Sequence, residues 1–284
     1  MVKIVPVEHH NKAATRSIGN LEASRVSVGR IFVIATNVFH EVVRDRILYV
    51  IGFYAVLLAA AIRILPEVAA TTEDKIFLDF GLAAMSVLGL VVAVFVGTGL
   101  VNKEIEKRTV LVLIAKPISR SEFITGKHLG LSAVLALLVS AMTAIYLTLM
   151  HFCQIPYPLG SILLAALYLF FQLSLITAVA IGFGVFTSSL LATLLSFGVY
   201  LMGNFNQDLV ELGRLSRNPG FQRLTQGLYL VLPDLSRLDL KNQAVYGLDL
   251  LPSPLTLIAN AGYGLLYTVL VLAIAIFIFS RRQF

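Results

Sequence analysis

Charge is scarce in this sequence. Asp, Glu, Lys and Arg together make up 13% of its 284 residues, while hydrophobic residues make up 58%. A soluble domain carries about 25% charged residues. With a mean hydropathy of +0.87, the chain reads as a polytopic membrane protein. Cysteine is almost absent: the single Cys153 excludes an internal disulfide and any multi-cysteine metal or cluster site, and reads as a small apolar residue at the end of a span. The first 24 residues are polar and hold no apolar core, so no cleavable signal peptide is expected. No internal repeat stands out.

Catalytic patterns are missing as well. A Walker phosphate loop would need Gly where Ser121 stands and Ser or Thr where His128 stands, so Gly126-Lys127 does not make one. His40-Glu41 opens like a zinc-protease motif, but the position four after His40 is Arg44, which leaves the second ligand missing. His9-His10 reads as part of a solvated tail. No paired intramembrane carboxylates, histidine pairs at haem depth or nucleophile–base arrangements are visible. Catalysis, a bound cofactor and a metal in this chain are therefore not expected, and any uphill transport would draw its energy from elsewhere.

What the chain does contain is long apolar runs. Six segments approach or exceed the ~20 residues needed to cross a bilayer: residues 47–65, 76–101, 128–152, 159–186, 189–203 and 255–280. The fifth is the shortest and is expected to break near Gly203. Before them, residues 1–24 read as a cytosolic tail. Over residues 25–45, Ile31, Ile34, Ala35, Val38, Phe39 and Val42 recur at helical spacing opposite Arg30, Asn37, His40, Glu41 and Arg44. That pattern predicts an amphipathic helix in the membrane interface. The fold class expected is all-α: six transmembrane helices preceded by an interfacial helix, with residues 25–284 as one membrane domain.

Lys and Arg set the orientation. The side holding both termini and the loop at 102–127 would carry 15 of them and the other side 7, which predicts that both termini are cytoplasmic. Arg63 and Asp79, near the outer ends of the first two spans, are expected to anchor at the interface or to pair. Gln172 is a candidate cavity or inter-helix polar group, and Gly182 and Gly184 suggest close helix approach. Residues 204–252 form an outer segment read as short amphipathic helices, split by Asn218-Pro219-Gly220, that lie on the outer leaflet and are followed by an irregular return. Its five positive and five negative charges argue against a polyanion-binding surface and hence against nucleic acid.

The most distinctive stretch is the loop at 102–127, NKEIEKRTVLVLIAKPISRSEFITGK. Glu104, Glu106, Lys107 and Arg108 open a first helical piece with apolar positions at Val110, Leu111, Leu113 and Ile114. Pro117 stops it, because proline lacks the amide hydrogen and disfavours helix at Lys116. Ser119-Arg120-Ser121-Glu122 is a capping-box pattern, so a new helix should start near Arg120 and run into the third span. Helix, break and capped helix make a stiff loop, suited to transmitting force.

This stretch, with the topology, resembles the permease subunits of ABC type 2 transporters. The resemblance rests on Glu104, Glu106, Lys107, Arg108 and Thr109, the apolar run at 110–115, Pro117-Ile118-Ser119-Arg120 and Gly126-Lys127. Lys116-Pro117 and the outer run Leu232-Pro233-Asp234-Leu235-Ser236-Arg237 look like the branch that includes multicopper-enzyme-maturation permeases, whereas Arg108 stands where many members have glycine. The resemblance implies an exporter permease of the bacterial inner (plasma) membrane. ATP and Mg would bind on a separate cytosolic ABC ATPase. That ATPase would dock on a coupling element formed by Glu104, Glu106, Lys107, Arg108, Thr109, Leu111, Lys116, Pro117 and Arg120. A second permease chain would complete the pathway within membrane lipid. A self-sufficient secondary carrier and a structural subunit of a membrane complex are the alternatives, and the substrate is not written in the sequence.

Overall fold

A computed structural model describes residues 27–68, 73–106, 119–216 and 218–281, and among these there is no β-strand. The first helix, α1, spans Val28–Val42. Ile31, Ile34, Ala35, Val38 and Val42 turn inward on it, while Asn37, His40, Glu41 and Arg44 are exposed. A π-helical turn, Val43–Ile47, carries the chain into α2, Leu48–Val68. Then come α3, Glu73–Glu106, α4, Arg120–Phe152, α5, Leu159–Phe186, and α6, Ser189–Asn204. The last helix, α10, covers Pro254–Arg281.

Five of these helices (α2, α3, α4, α5 and α10) are long and apolar enough to cross a membrane, and α6 is a shorter apolar helix. The 34 residues of α3 give it a length of about 50 Å, well beyond a hydrocarbon core of about 30 Å. The helix α5 is the most enclosed, while α2 and α10 leave most of their surface open, as helices facing lipid would. Antiparallel pairing of α3 with α6 is fixed by a Thr98–Thr193 hydroxyl contact of 3.1 Å and an edge contact between Phe95 and Phe197. Tyr146, on α4, donates its hydroxyl to the Leu78 carbonyl of α3 at 2.7 Å. Of the two glycines singled out in α5, only Gly184 sits tightly. A Cβ there would meet Asn102 and the Thr98 carbonyl at 3.4 Å, whereas at Gly182 the nearest atoms are 3.8 Å and 3.9 Å away.

The 16 residues of α6 reach only about 24 Å. The helix ends where the Asn204 Oδ1 accepts from Gln172 Nε2 at 3.1 Å, and Gln172 lies at the middle of α5. Gln172 is therefore an inter-helix tie, with a second bond to the Leu235 carbonyl at 3.4 Å. The chain then forms a hairpin of α7, Asn206–Leu215, and α8, Pro219–Val231. The bend is set by Asn218, whose Oδ1 accepts from the Gly220 N–H at 2.8 Å.

The return from α8 is a run of short turns that enters the bundle. A 3-10 turn, Leu235–Leu238, and the short α9, Lys241–Ala244, climb along α5 from Gln172 to Ser161, whose hydroxyl donates to the Ala244 carbonyl at 2.7 Å. Leu235, Leu238, Leu240 and Ala244 are buried. This inserted segment fills the half of the bundle that α6 leaves empty, and the 3-10 turn Leu248–Leu250 then leads to α10. The charges of this region pair locally: Arg237 with Asp234 at 3.0 Å, Lys241 with Asp239 at 2.6 Å and Arg214 with Glu211 at 4.0 Å. Among the described residues no ion pair joins Arg63 to Asp79, and both are exposed.

Candidate coupling site

The two described ends of the chain meet at one end of the bundle, around the first turn of α4. Ser119 is extended there and caps the helix: its Oγ accepts from the Glu122 N–H at 3.2 Å, and Glu122 Oε2 accepts from the Ser119 N–H at 2.8 Å. This is the reciprocal capping box that the sequence pattern predicts. Glu122 then does something the pattern does not reveal. It is fully buried, and its other oxygen accepts from the Ser27 N–H, at the start of α1, at 2.6 Å. Arg30 Nη1 stands 3.8 Å from Oε2. One carboxylate thus satisfies the free amides of two helix starts, where the helix dipoles also favour negative charge.

Its neighbour Arg120 faces the other way. Its Nη1 donates to the Phe279 carbonyl at 2.6 Å and the Ser280 carbonyl at 2.7 Å, near the C-terminal end of α10. A cation is favoured at that end of a helix. Phe123 stacks on Phe279 with ring centroids 5.7 Å apart, and Lys127 lies over the Phe123 ring at 5.5 Å. The contact continues into an apolar cluster in which Val101 of α3, Phe123 and Ile124 of α4, and Leu272 and Phe279 of α10 are all buried. Both flanks of the loop at 102–127 are rooted in that cluster.

Close approach of α1 to α4 depends on two glycines. A Cβ on Gly126 would lie 2.7 Å from Ile34 Cβ, and one on Gly130 only 2.6 Å from the Ala35 carbonyl oxygen. Gly126, noted in the sequence only as part of a Gly-Lys pair, therefore lets α1 lie against α4.

Among the nine proposed coupling residues, Arg120 is the one whose side-chain contacts the structure describes. Glu104 and Glu106 fall in the last turn of α3. Lys107, Arg108, Thr109, Leu111, Lys116 and Pro117 lie outside the described residues, as do the 1–24 tail and His9-His10. Sequence reasoning did not single out Ser27 and Arg30 as partners of Glu122. Ser27 lies 95 positions from Glu122, and the readable signal was limited to an acidic residue at the fourth position of the box. The arrangement presents no nucleophile with a base. It ties the start of α1, the start of α4 and the end of α10 into one unit beside a charged loop.

The chain matches the family described as ABC-2 family transporter protein over residues 31–284, which takes in the junction from Ile31 onward and every helix from α2 to α10. No curated protein matches it. An all-α bundle of apolar helices with this match over nearly its whole length belongs to the ABC-2 transporter family, and the chain is a membrane transport component of an ABC system.

Proposed function

We propose that this chain is the permease subunit of an ATP-driven exporter in the bacterial inner membrane, with both termini cytoplasmic. Two permease chains form the pathway, and a separate cytosolic ATPase docks on the loop at 102–127 through Glu104, Glu106, Lys107, Arg108, Thr109, Leu111, Lys116 and Pro117. Arg120 acts on the inner side of that contact, holding the end of α10. ATP and Mg belong to the partner. The observation that carries the reading is the junction itself. Ser119 to Glu122, in the second half of the loop, are bonded to the start of α1 and the end of α10. A displacement of the loop would therefore reach three helices at once as a rigid-body movement. The 15-to-7 division of Lys and Arg supports the orientation.

The test is co-purification of the full chain, in mild detergent, with cytosolic ATPases from its own cells, beside a variant carrying Glu106→Arg with Arg108→Glu. An ATPase that comes down with the native chain and is lost with the variant is the expected result. A folded native chain that brings down no ATPase overturns the reading in favour of a carrier or a structural subunit.

A further inference from the structure

We infer that the cleft between α5, α6 and α10 holds one acyl chain of a membrane phospholipid, with the phosphate of that lipid at Arg281. The inference rests on these helices lying in a bilayer and does not depend on the ATPase. The cleft measures about 260 Å³ and is walled by Gly182 and Phe183 of α5, Val199 of α6, and Val271, Ile274 and Ile278 of α10. Its far wall is the chain at 231–233, just after α8.

A bare backbone at that place would expose polar groups, and two tyrosines of α10 engage two of them. Tyr267 donates its hydroxyl to the Val231 carbonyl at 2.5 Å, and the Tyr263 hydroxyl accepts from the Asp234 N–H at 2.8 Å. The Leu232 N–H is already bonded to the Leu228 carbonyl at 2.8 Å. Tyr267 is the one polar side chain in the lining, and its hydroxyl is in use. A water molecule needs two to four polar partners and would find few here, so hydrocarbon is the favoured filling. Gly182 supplies the width, because the nearest atoms to a Cβ at that position are 3.8 Å away.

The length and the charge select a lipid over a side chain from a second copy. From Tyr267 to Ile278 the lining follows α10 for about 16 Å, longer than one protruding side chain fills. The stripe of Ile274 and Ile278 continues at helical spacing to Arg281, at the end of α10 where a headgroup would lie. Arg281 is exposed, with its guanidinium 5.1 Å from the centre of the Phe277 ring. No carboxylate among the described residues forms an ion pair with it. Arg281 follows the last lining residue, Ile278, by one helical turn, and a cation near the end of an apolar groove complements an anionic headgroup above its own acyl chain.

The chain contains no tryptophan, so one introduced at the rim of the cleft, Leu270→Trp, is the single tryptophan and can be excited apart from the tyrosines. Leu266→Trp, at a position 72% exposed and away from the lining, is the control. Each full-length variant is reconstituted in vesicles of phosphatidylglycerol with brominated acyl chains, which quench on contact, and then diluted into detergent with unbrominated lipid. Both reporters should be quenched in the vesicles. After dilution the control recovers at once and the cleft reporter about tenfold more slowly, because a bound ligand leaves at its own off-rate. Adding Gly182→Phe, which fills the cleft, should abolish the lag, and adding Arg281→Gln should shorten it. As a check free of the reporter, native mass spectrometry should find one retained phospholipid on the unsubstituted chain and none on Gly182→Phe. A cleft reporter that recovers with the control overturns the inference. So does one that is never quenched in vesicles, which would mean that protein, such as a second copy, closes the cleft.

Discussion

Replacing Glu122 by Gln changes little in volume and tests the junction directly. The carboxylate offers an oxygen to each of two amides, Ser27 N–H at 2.6 Å and Ser119 N–H at 2.8 Å, from a fully buried position. The amide of Gln keeps one acceptor and turns an NH₂ towards the other donor. One charge-assisted bond, worth about 1.5–3 kcal/mol, is lost, and a buried donor is left unsatisfied. The expected cost is about 2–3 kcal/mol, and because the glycine contacts of α1 remain, it should appear as local opening rather than global unfolding. Hydrogen exchange of the chain in detergent reads it: protection at Ser27 or Ser119 should fall by about 30- to 140-fold, since each 1.4 kcal/mol is a factor of ten. Glu122→Ala removes both acceptors and the capping box and should cost more, about 3–5 kcal/mol. If Glu122→Gln leaves protection at both serines unchanged, the carboxylate does not hold the two helices together and the argument for a single mechanical unit fails.

Gly130→Ala puts a methyl 2.6 Å from a backbone oxygen of α1, so α1 should lift from α4 at a cost of about 1–3 kcal/mol. Limited proteolysis near residue 27 should quicken, while Gly262→Ala, with nothing within 4 Å, should leave it unchanged. Arg120→Gln loses the ionic bonds to the Phe279 and Ser280 carbonyls and should fray only the last turn of α10, by about 1–2 kcal/mol, seen as faster exchange there. Gln172→Leu leaves Asn204 Oδ1 and the Leu235 carbonyl without their shared donor; thermal unfolding in detergent should show a loss of about 1 kcal/mol, the usual scale for a polar tie between membrane helices. Asn206 is buried, and neither its Oδ1 nor its Nδ2 has a hydrogen-bond partner among the described residues. Asn206→Leu should therefore stabilise the chain by about 1 kcal/mol, and a destabilised variant would refute that.

The spans were legible because insertion into hydrocarbon requires unbroken apolar runs. The runs at 159–186 and 255–280 are the clearest cases: α5 and α10 begin and end within a residue of them. The start of α4 was legible for a local reason, since a capping box is written in four consecutive residues. Glu122 as a tie to α1 was not, because the bond to Ser27 depends on how α1 folds back on α4, which no local pattern encodes. That the segment at 235–244 enters the bundle was not legible either, for a different reason. Leu235, Leu238, Leu240 and Ala244 are spaced among Ser, Arg, Asp and Lys in a way that suits a surface helix as well as a chain threaded between α3, α5 and α10. What separates the two is the early end of α6, and the single run at 189–203 gave too little length to show what completes the bundle beside it.

The two ends of the molecule are built on opposite principles. Around Glu122 and Arg120 the ties are charged, short and shared between helices, and the glycines at 126 and 130 remove the space in which α1 could slide on α4. At the other end α6 stops half-way, and what completes the bundle is a chain of short turns held by single bonds from Gln172, Ser161 and Tyr263. In an apolar medium each of those bonds is needed to cover a backbone group, yet each links one short piece to one helix and can be exchanged singly. On the reading proposed above, a push on the loop at 102–127 is therefore not absorbed where it arrives. It passes along α4 and α10 as rigid bodies and is taken up where the segment at 235–244 lies between α3, α5 and α10. Opening at that end requires the rearrangement of a few single hydrogen bonds, not the breaking of a packed helix pair.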